Sequence, residues 1–599
     1  MQPEKLYVSG NSSLLLCHTD ADIPIIRAPS NAPSFCSLKI INGESRIENR
    51  LCHADKRFRR TFYGGEYRNA DMIDRFDEES SAFVRRCLCF EDIPFVLSFE
   101  KEVRFLFTAP IKTTRASYPA ACIYLPAGSC VAGFETSPHD RFLLIAFFGC
   151  AEFDPVSGRG VFLTGESGMA ILADDDPNRL VKNAAAVLGK ASQELGTPFP
   201  DVKPREEHDP AEYINALISL TTNEGFVLSD PIDLNIDPLT QYFAVRAFLH
   251  AGMSGRALAI IDAYCNRFKE KGEVFWCERG SKAVRRSACE GSLTPALIIL
   301  AALAFPKGIL KERHFAVLCE MMKHQRSFLL NFTMPFNGNE DEFEARYLPY
   351  QGSSLATLLF IQSGRELCRR LRLNGSEELE DIEKLVDGTA SHFHANFIKE
   401  GVPLLNAPMR DAVQPYPRFR FGYCESCAPR SLDPRPCWLK KTPSGAYLCP
   451  SCTETNPNGT RIPTLDRNAK RVSYATVLWS AMLGSEVYPR GLIKQIASSI
   501  ISYPTEVKSA FDAALLCYAA RRYELDLKYV SAADGIFFTG DKPKDIRELK
   551  TDAKPRYVYS LDAKSQAIMY TLLEYHAIPK RKTKKRPAGA MFDQNEDVR

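Results

Sequence analysis

Two pairs of cysteines carry the most specific chemistry in the chain. Cys424-Glu-Ser-Cys427 is followed, after 21 residues, by Cys449-Pro-Ser-Cys452. Two C-x2-C knuckles at that spacing can present four thiolates tetrahedrally to one Zn2+. A closed set of four thiolates leaves no open coordination position, so the expected role of the metal is structural. It would fold a segment too short and too polar to build a core of its own. Tyr423 and Leu448 precede the knuckles, and Gly445-Ala-Tyr447 reads as a ribbon turn. Cys437 lies between them as a spare thiol or an alternative ligand. Four free thiols, or a redox pair, is the other reading of these residues. The histidines do not gather at metal spacing: His392 and His394 stand two apart in a helical stretch, on different faces. No G-x-x-x-x-G-K-[ST] phosphate loop, H-E-x-x-H pair, G-x-S-x-G elbow or G-x-G-x-x-G dinucleotide unit occurs in the right context.

The elements that must hold such residues are numerous. The chain has 599 residues, 45% hydrophobic and 25% charged, an ordinary globular composition with ample material for a large core. The net charge is +3, from 76 basic and 73 acidic residues. Lys580-Arg-Lys-Thr-Lys-Lys-Arg586 alone supplies six positive charges, so the remaining body sums to 3 − 6 = −3. That excludes a globally basic nucleic-acid coat. Nineteen cysteines in this length fall far below the density of a small disulfide scaffold. With no signal-like segment at the start, they point to a reducing cytoplasmic setting. The longest apolar run, Ala296 to Phe305, is ten residues between prolines. A span needs about 20, so no membrane segment is expected.

The texture changes near residue 205. Short alternating runs such as Val103–Thr108, Ala121–Leu125 and Gly160–Leu163, punctuated by Gly, Pro and Asp, predict a β-sandwich over 1–175. A helix beginning near Pro177 and a Pro-rich stretch make a helical linker over 176–210. Eleven helical stretches follow between 211 and 576, with apolar residues three and four apart. They show no fixed-period repeat, which disfavours an open solenoid and favours hairpins closed into an (α/α)6 toroid. The stretch 403–468, dense in Pro, Arg, Gly and Cys, reads as a zinc-ribbon insertion. Residues 577–599 read as a basic, disordered tail. The expected fold is therefore multidomain α and β, an N-terminal β-sandwich followed by a toroid carrying the ribbon.

This layout, with three stretches of sequence, resembles the six-hairpin glycosidases of the bacterial glucoamylase and glycogen-debranching groups. One stretch is Gly225-Phe-Val-Leu-Ser-Asp-Pro231 leading into Gln241-Tyr-Phe-Ala-Val-Arg-Ala-Phe-Leu-His-Ala-Gly252. The second is Cys289-Glu-Gly-Ser-Leu-Thr-Pro-Ala-Leu-Ile-Ile-Leu300. The third is Met334-Pro-Phe-Asn-Gly-Asn-Glu-Asp341 with Leu348-Pro-Tyr-Gln-Gly-Ser-Ser-Leu355 and the helix beyond. The resemblance covers 211–575 by layout and implies a carbohydrate-active enzyme with two carboxylates, one protonating the glycosidic oxygen and one activating water or attacking directly. Glu290, ahead of an apolar helix, is the candidate acid; the alternative is a carboxylate that complements the helix dipole. The run around Asp341 and Glu344 is the candidate for the second carboxylate, or a solvated acidic loop. Asp237 would bind a sugar hydroxyl or cap the helix it precedes. Tyr242 and Arg246, four apart on one face, would line the pocket, or Arg246 would form an internal ion pair.

The chain departs from the family pattern in two places. Leu239-Thr240-Gln241-Tyr242 stands where relatives place a tryptophan and an Arg-Asp pair, and Ser354-Leu355 where an acidic residue is expected. Trp276, Trp438 and Trp479 are the only tryptophans. These departures open a second reading, a catalytically decayed toroid that binds a glycan or a protein. Nucleic-acid association through the ribbon (Arg430, Arg435, Lys440, Lys441) and the tail ranks behind both. A uronic-acid lyase or epimerase using Tyr242 and Arg246 is a further variant. The expected partner is an oligosaccharide substrate or glycan ligand, and the expected cofactor is structural Zn2+.

Overall fold

A computed structural model describes residues 4–577, apart from short gaps between elements and longer ones at 19–22, 28–35, 41–49, 55–59, 100–103, 136–139, 195–209, 286–289, 337–347, 372–376, 409–418, 431–436, 442–446, 449–473, 503–506, 539–545 and 550–555. The strand-rich part builds two antiparallel sheets. The seven-stranded sheet runs, in spatial order, Cys150–Asp154, Arg159–Phe162, Ile93–Phe99, Cys36–Ile40, Ile23–Arg27, Leu15–His18, Tyr7–Gly10. The eight-stranded sheet runs Arg104–Phe107, Ala120–Leu125, Arg141–Phe148, Gly165–Asp174, Ala82–Cys89, Ala70–Asp77, Arg60–Glu66, Arg50–Ala54.

The strand Arg141–Phe148 explains how these layers stack. Leu143, Ile145 and Phe147 belong to the core that also takes Phe95, Leu97 and Phe162 of the other sheet. Phe95 stacks on Phe147 at 4.8 Å and on Phe162 at 4.4 Å between ring centroids. The alternate residues Phe142, Leu144, Ala146 and Phe148 face the other way, onto Leu180, Ala184, Leu188 and Ala191 of helix α1 (Pro177–Glu194). A strand apolar on both faces is what a central strand covered on both sides requires. Helix α1 thus seals the outer face of the larger sheet. Arg85 and Asp74, directly opposite across two strands, form a buried bidentate pair with both contacts at 2.7 Å.

Among the described residues, twelve further helices follow: α2 (Pro210–Ser219), α3 (Pro238–His250), α4 (Ser254–Lys271), α5 (Glu290–Leu303), α6 (Glu312–Arg326), α7 (Ser354–Leu371), α8 (Glu377–Phe397), α9 (Tyr474–Leu483), α10 (Arg490–Ser502), α11 (Ala510–Arg522), α12 (Leu527–Phe538) and α13 (Ala563–Ala577). Eleven match the stretches expected from the sequence. The twelfth, α12, is absent from that reading because its outward face carries apolar Leu527, 83% exposed, and blurs the helical period.

Packing follows a simple alternation. Helix α3 packs on α5, α5 on α7, α7 on α9, α9 on α11, α11 on α13, and α13 back on α3. The even-numbered helices pack on the flanks of these: α2 on α13, α4 on α3, α6 on α5, α8 on α7, α10 on α11 and α12 on α11. The odd helices are accordingly the more apolar; from Leu293 to Leu303, α5 is buried at almost every position. No helix among the described residues is long and apolar enough to cross a membrane.

Between α8 and α9 the helical order is interrupted by short strands. Phe419–Gly422, Cys437–Lys441 and Tyr447–Leu448 form a three-stranded antiparallel sheet in that order.

Candidate functional site

The C-terminal parts of α3, α5 and α9 and the middle of α7 meet around one cavity. It is lined by Arg246, Leu249 and His250 of α3, Leu300 and Leu303 of α5, Gln362 and Glu366 of α7, and Leu483 of α9. These helices therefore point the same way, and their N-termini gather at the opposite end. That end holds the charged groups of interest.

Asp237 caps α3. Its carboxylate accepts the Thr240 backbone N–H at 2.8 Å and the Thr240 hydroxyl at 2.8 Å. Asp562 caps α13 in the same manner, accepting from the Ser565 N–H and hydroxyl, each at 2.9 Å. Both follow the Asp-x-x-Thr/Ser pattern of an N-cap. Asp237 thus takes the capping role of its two expected ones.

Between these caps stands Lys564, on the first turn of α13. Burial pushes its ammonium down, yet Asp562, Asp237, Asp512 and Asp230 together outweigh that and hold its pKa above the ordinary lysine value. Its Nζ also lies 5.2 Å from the centre of the Phe511 ring, beside Asp512 on α11. Lys564 thus gathers carboxylates from the segment before α3, the caps of α3 and α13, and the first turn of α11.

The segment before α3 is tied down from both sides. Gln241, fully buried, accepts the Val227 N–H at 2.9 Å and donates to the Val227 carbonyl at 2.5 Å. Ser229 accepts the Ala563 N–H at 2.9 Å and so joins this segment to α13. Gly225, at φ +95°, would put a Cβ within 2.9 Å of Ala259 on α4, so only glycine passes there without a shift. These bonds fix Asp230, itself buried, beside the caps.

Glu290 is the first residue of α5 and so starts at this same end. Thr294, one turn on and on the same face, is buried with no hydrogen-bond partner among the described residues. Asp341 and Glu344 lie outside the described residues. The flanking strands Pro335–Phe336 and Leu348–Ser353 pair with each other, and the second runs directly into α7.

Tyr242 and Arg246 touch each other, as their spacing predicts: Nη1 of Arg246 donates to the Tyr242 hydroxyl at 2.6 Å. They sit away from the caps, on the cavity at the C-terminal end. Arg246 lies nine residues beyond Asp237, about 14 Å along the axis at 1.5 Å per residue.

Cys424 is buried and Cys427 half-buried, in a turn where the Ala428 N–H bonds the Cys424 carbonyl at 3.1 Å. Cys449 and Cys452 lie outside the described residues. Among the described residues no three His, Cys, Asp or Glu side chains gather as a metal site.

Asp562, Lys564, Asp512 and Asp230 escape a reading of the sequence. The Asp562-Ala-Lys-Ser565 cap could have been found by its pattern; the convergence of three helix starts could not.

No protein-family model matches the chain. No curated protein matches it in sequence at a significant level. Among solved structures, it is similar to a bacterial glucoamylase complexed with acarbose, at 8% identity over 96% of this chain and 94% of that one, with a TM-score of 0.45. It is similar to a putative kojibiose phosphorylase from the human microbiome, at 9% identity over 95% and 86%, with a TM-score of 0.49. It is also similar to an alpha-amylase from Clostridium perfringens, at 13% identity over 61% and 96%, with a TM-score of 0.35.

Proposed function

We propose that the chain is a carbohydrate-active enzyme that cleaves an oligosaccharide by two-carboxylate acid/base hydrolysis, on an (α/α)6 toroid. The observation that carries this reading is the cycle of six odd helices, α3 through α13 and back, with their starts and carboxylates at one end. A ring of that kind turns six helix starts toward a common opening, where loops can aim acidic groups at a substrate.

In this reading Glu290 donates a proton to the departing glycosidic oxygen, and Asp341 or Glu344 activates water on the opposite face of the sugar or attacks it. Asp237 and Asp562 hold the helix starts rigid, and Lys564 lowers the mutual repulsion of the acidic groups around it. The experiment is a panel of α- and β-linked gluco-oligosaccharides followed by chromatography of released sugars. Turnover of at least one linkage is expected. A panel that is bound but never cleaved would instead support the second reading, a glycan-binding scaffold. Buried Ser354 and Leu355 favour that reading, at positions where relatives carry an acid.

The insertion is proposed to hold one structural zinc through Cys424, Cys427, Cys449 and Cys452. Two features support the fit. Cys424 and Cys427 stand three apart in a turn with partly sheltered thiols. Tyr447–Leu448 also runs in the direction of Phe419–Gly422, since both oppose Cys437–Lys441. Both strands therefore lead into their knuckles toward the same end of the sheet. When bound, the metal supplies a tetrahedral crosslink and no chemistry at the acidic end. Elemental analysis of the purified full chain is expected to give one zinc per chain, lost in Cys424→Ser. A metal-free chain with unaltered proteolytic resistance over 403–468 would sink the assignment.

A further inference from the structure

The cavity at the C-terminal end of the helix ring is a second site, separate from the acidic opening. Its volume is about 650 Å3, and beside the side chains of Tyr242, His250, Ser254 and Thr571 it presents one guanidinium, one amide, one carboxylate and an apolar wall that includes Leu249, Leu300, Leu303 and Leu483. Its charge balance is unusual. Arg246 reaches only the Tyr242 hydroxyl and ring, at 2.6 Å and 5.6 Å, and no carboxylate stands within ion-pair distance of it among the described residues. The one carboxylate lining the cavity, Glu366, is engaged elsewhere: it bonds Arg369 and lies 3.9 Å from Nε of Arg370. Gln362 lines the same wall and makes no hydrogen bond among the described residues.

Helix C-termini disfavour anions, but here their carbonyls are already occupied. Nη2 of Arg370 donates to the Leu303 and Phe305 carbonyls at 2.9 Å and 2.6 Å, closing the end of α5. The end of α3 is closed by backbone bonds from Ala251, Gly252 and Met253. The guanidinium of Arg246 and the amide of Gln362 therefore face the cavity beside the Tyr242, His250, Ser254 and Thr571 side chains.

We propose that this cavity binds a small organic molecule through an oxyanion, carboxylate or phosphate, held by Arg246 and Gln362, with the rest of the molecule against the leucine wall. A guanidinium offers paired donors that match an oxyanion. Hydroxyls alone would leave its charge unmet.

The test is isothermal titration of the full chain with hexanoate, inorganic phosphate and glucose. Hexanoate or phosphate is expected to bind and glucose is not, and whichever oxyanion binds names the source. Arg246→Gln should weaken that binding at least about tenfold, roughly the worth of one charge-assisted bond. Two variants at side chains without a packing role keep the test independent of folding. Gln362→Glu adds a negative charge and should weaken binding, whereas Glu366→Gln removes one and should tighten it. Absence of binding by both oxyanions, or binding unchanged in Arg246→Gln and Gln362→Glu, overturns the proposal. The outcome does not depend on hydrolysis at the other end, which Glu366→Gln should leave at the parent rate.

Discussion

Glu290→Gln is expected to reduce oligosaccharide cleavage by about 10²–10⁴-fold, the usual contribution of a positioned general acid, while the helical circular dichroism and unfolding midpoint stay close to the parent. Glutamine keeps the volume and removes only the transferable proton. The rival explanation of Glu290 is a carboxylate that complements the N-terminal dipole of α5. It predicts the opposite pair of effects: a stability loss of about 0.3–1 kcal/mol and unchanged turnover. Urea unfolding and initial rates on the same preparation therefore separate the two, and a variant that cleaves at the parent rate removes Glu290 from the mechanism. Asp341→Asn and Glu344→Gln, measured alongside, identify the partner, because only the group that activates water or attacks should cause a loss of comparable size. If neither does, the second carboxylate belongs to the cluster around Lys564.

Much of the architecture was readable from the chain because it rests on local period. Alternation marked the strands, and three-to-four spacing marked eleven of the helices after residue 205. The strand Arg141–Phe148 shows no alternation, since both of its faces are covered, one by the opposing sheet and one by α1. The exposed apolar face of α12 hid that helix for the converse reason: nothing on its outer side restores the contrast that a period needs.

The site was less legible. Asp237-Pro-Leu-Thr240 announces a cap, and the hydrogen bonds bear that out. The pattern at Asp562-Ala-Lys-Ser565 is the same, but its interest lies in Lys564, whose neighbours come from three stretches up to about 330 residues apart in the chain. No spacing rule reports that. Tyr242 and Arg246 illustrate the limit from the other side. Their four-residue separation puts them on one face, and the structure adds the hydrogen bond between them. Which end of the ring that face serves depends on how far along α3 the cavity lies, and only the packing of α5, α7 and α9 determines it.

Lys564→Met is the substitution expected to cost the most stability. Methionine fills a similar volume but removes the ammonium that Asp562, Asp237, Asp512 and Asp230 all act on. Removing one partner of a fully buried ion pair costs roughly 3–5 kcal/mol. Lys564 is not sealed from solvent, so roughly 2–3 kcal/mol is expected here, read as a lower urea midpoint. Lys564→Arg keeps the charge and should recover most of the loss, whereas a packing role alone would make arginine the worse substitute. The pH dependence has a definite sign. The folded-state pKa lies above the ordinary lysine value of 10.5. The stabilisation from Lys564 is therefore fully present below that value and is lost as the pH rises through the folded one. Parent and Lys564→Met should differ by a constant amount from neutrality to pH 9 or so, and converge only at strongly alkaline pH. A difference that instead vanished on mild acidification would point to the carboxylates, not the ammonium, as the titrating partner. Equal midpoints at neutral pH would mean that the four aspartates do not depend on Lys564 at all.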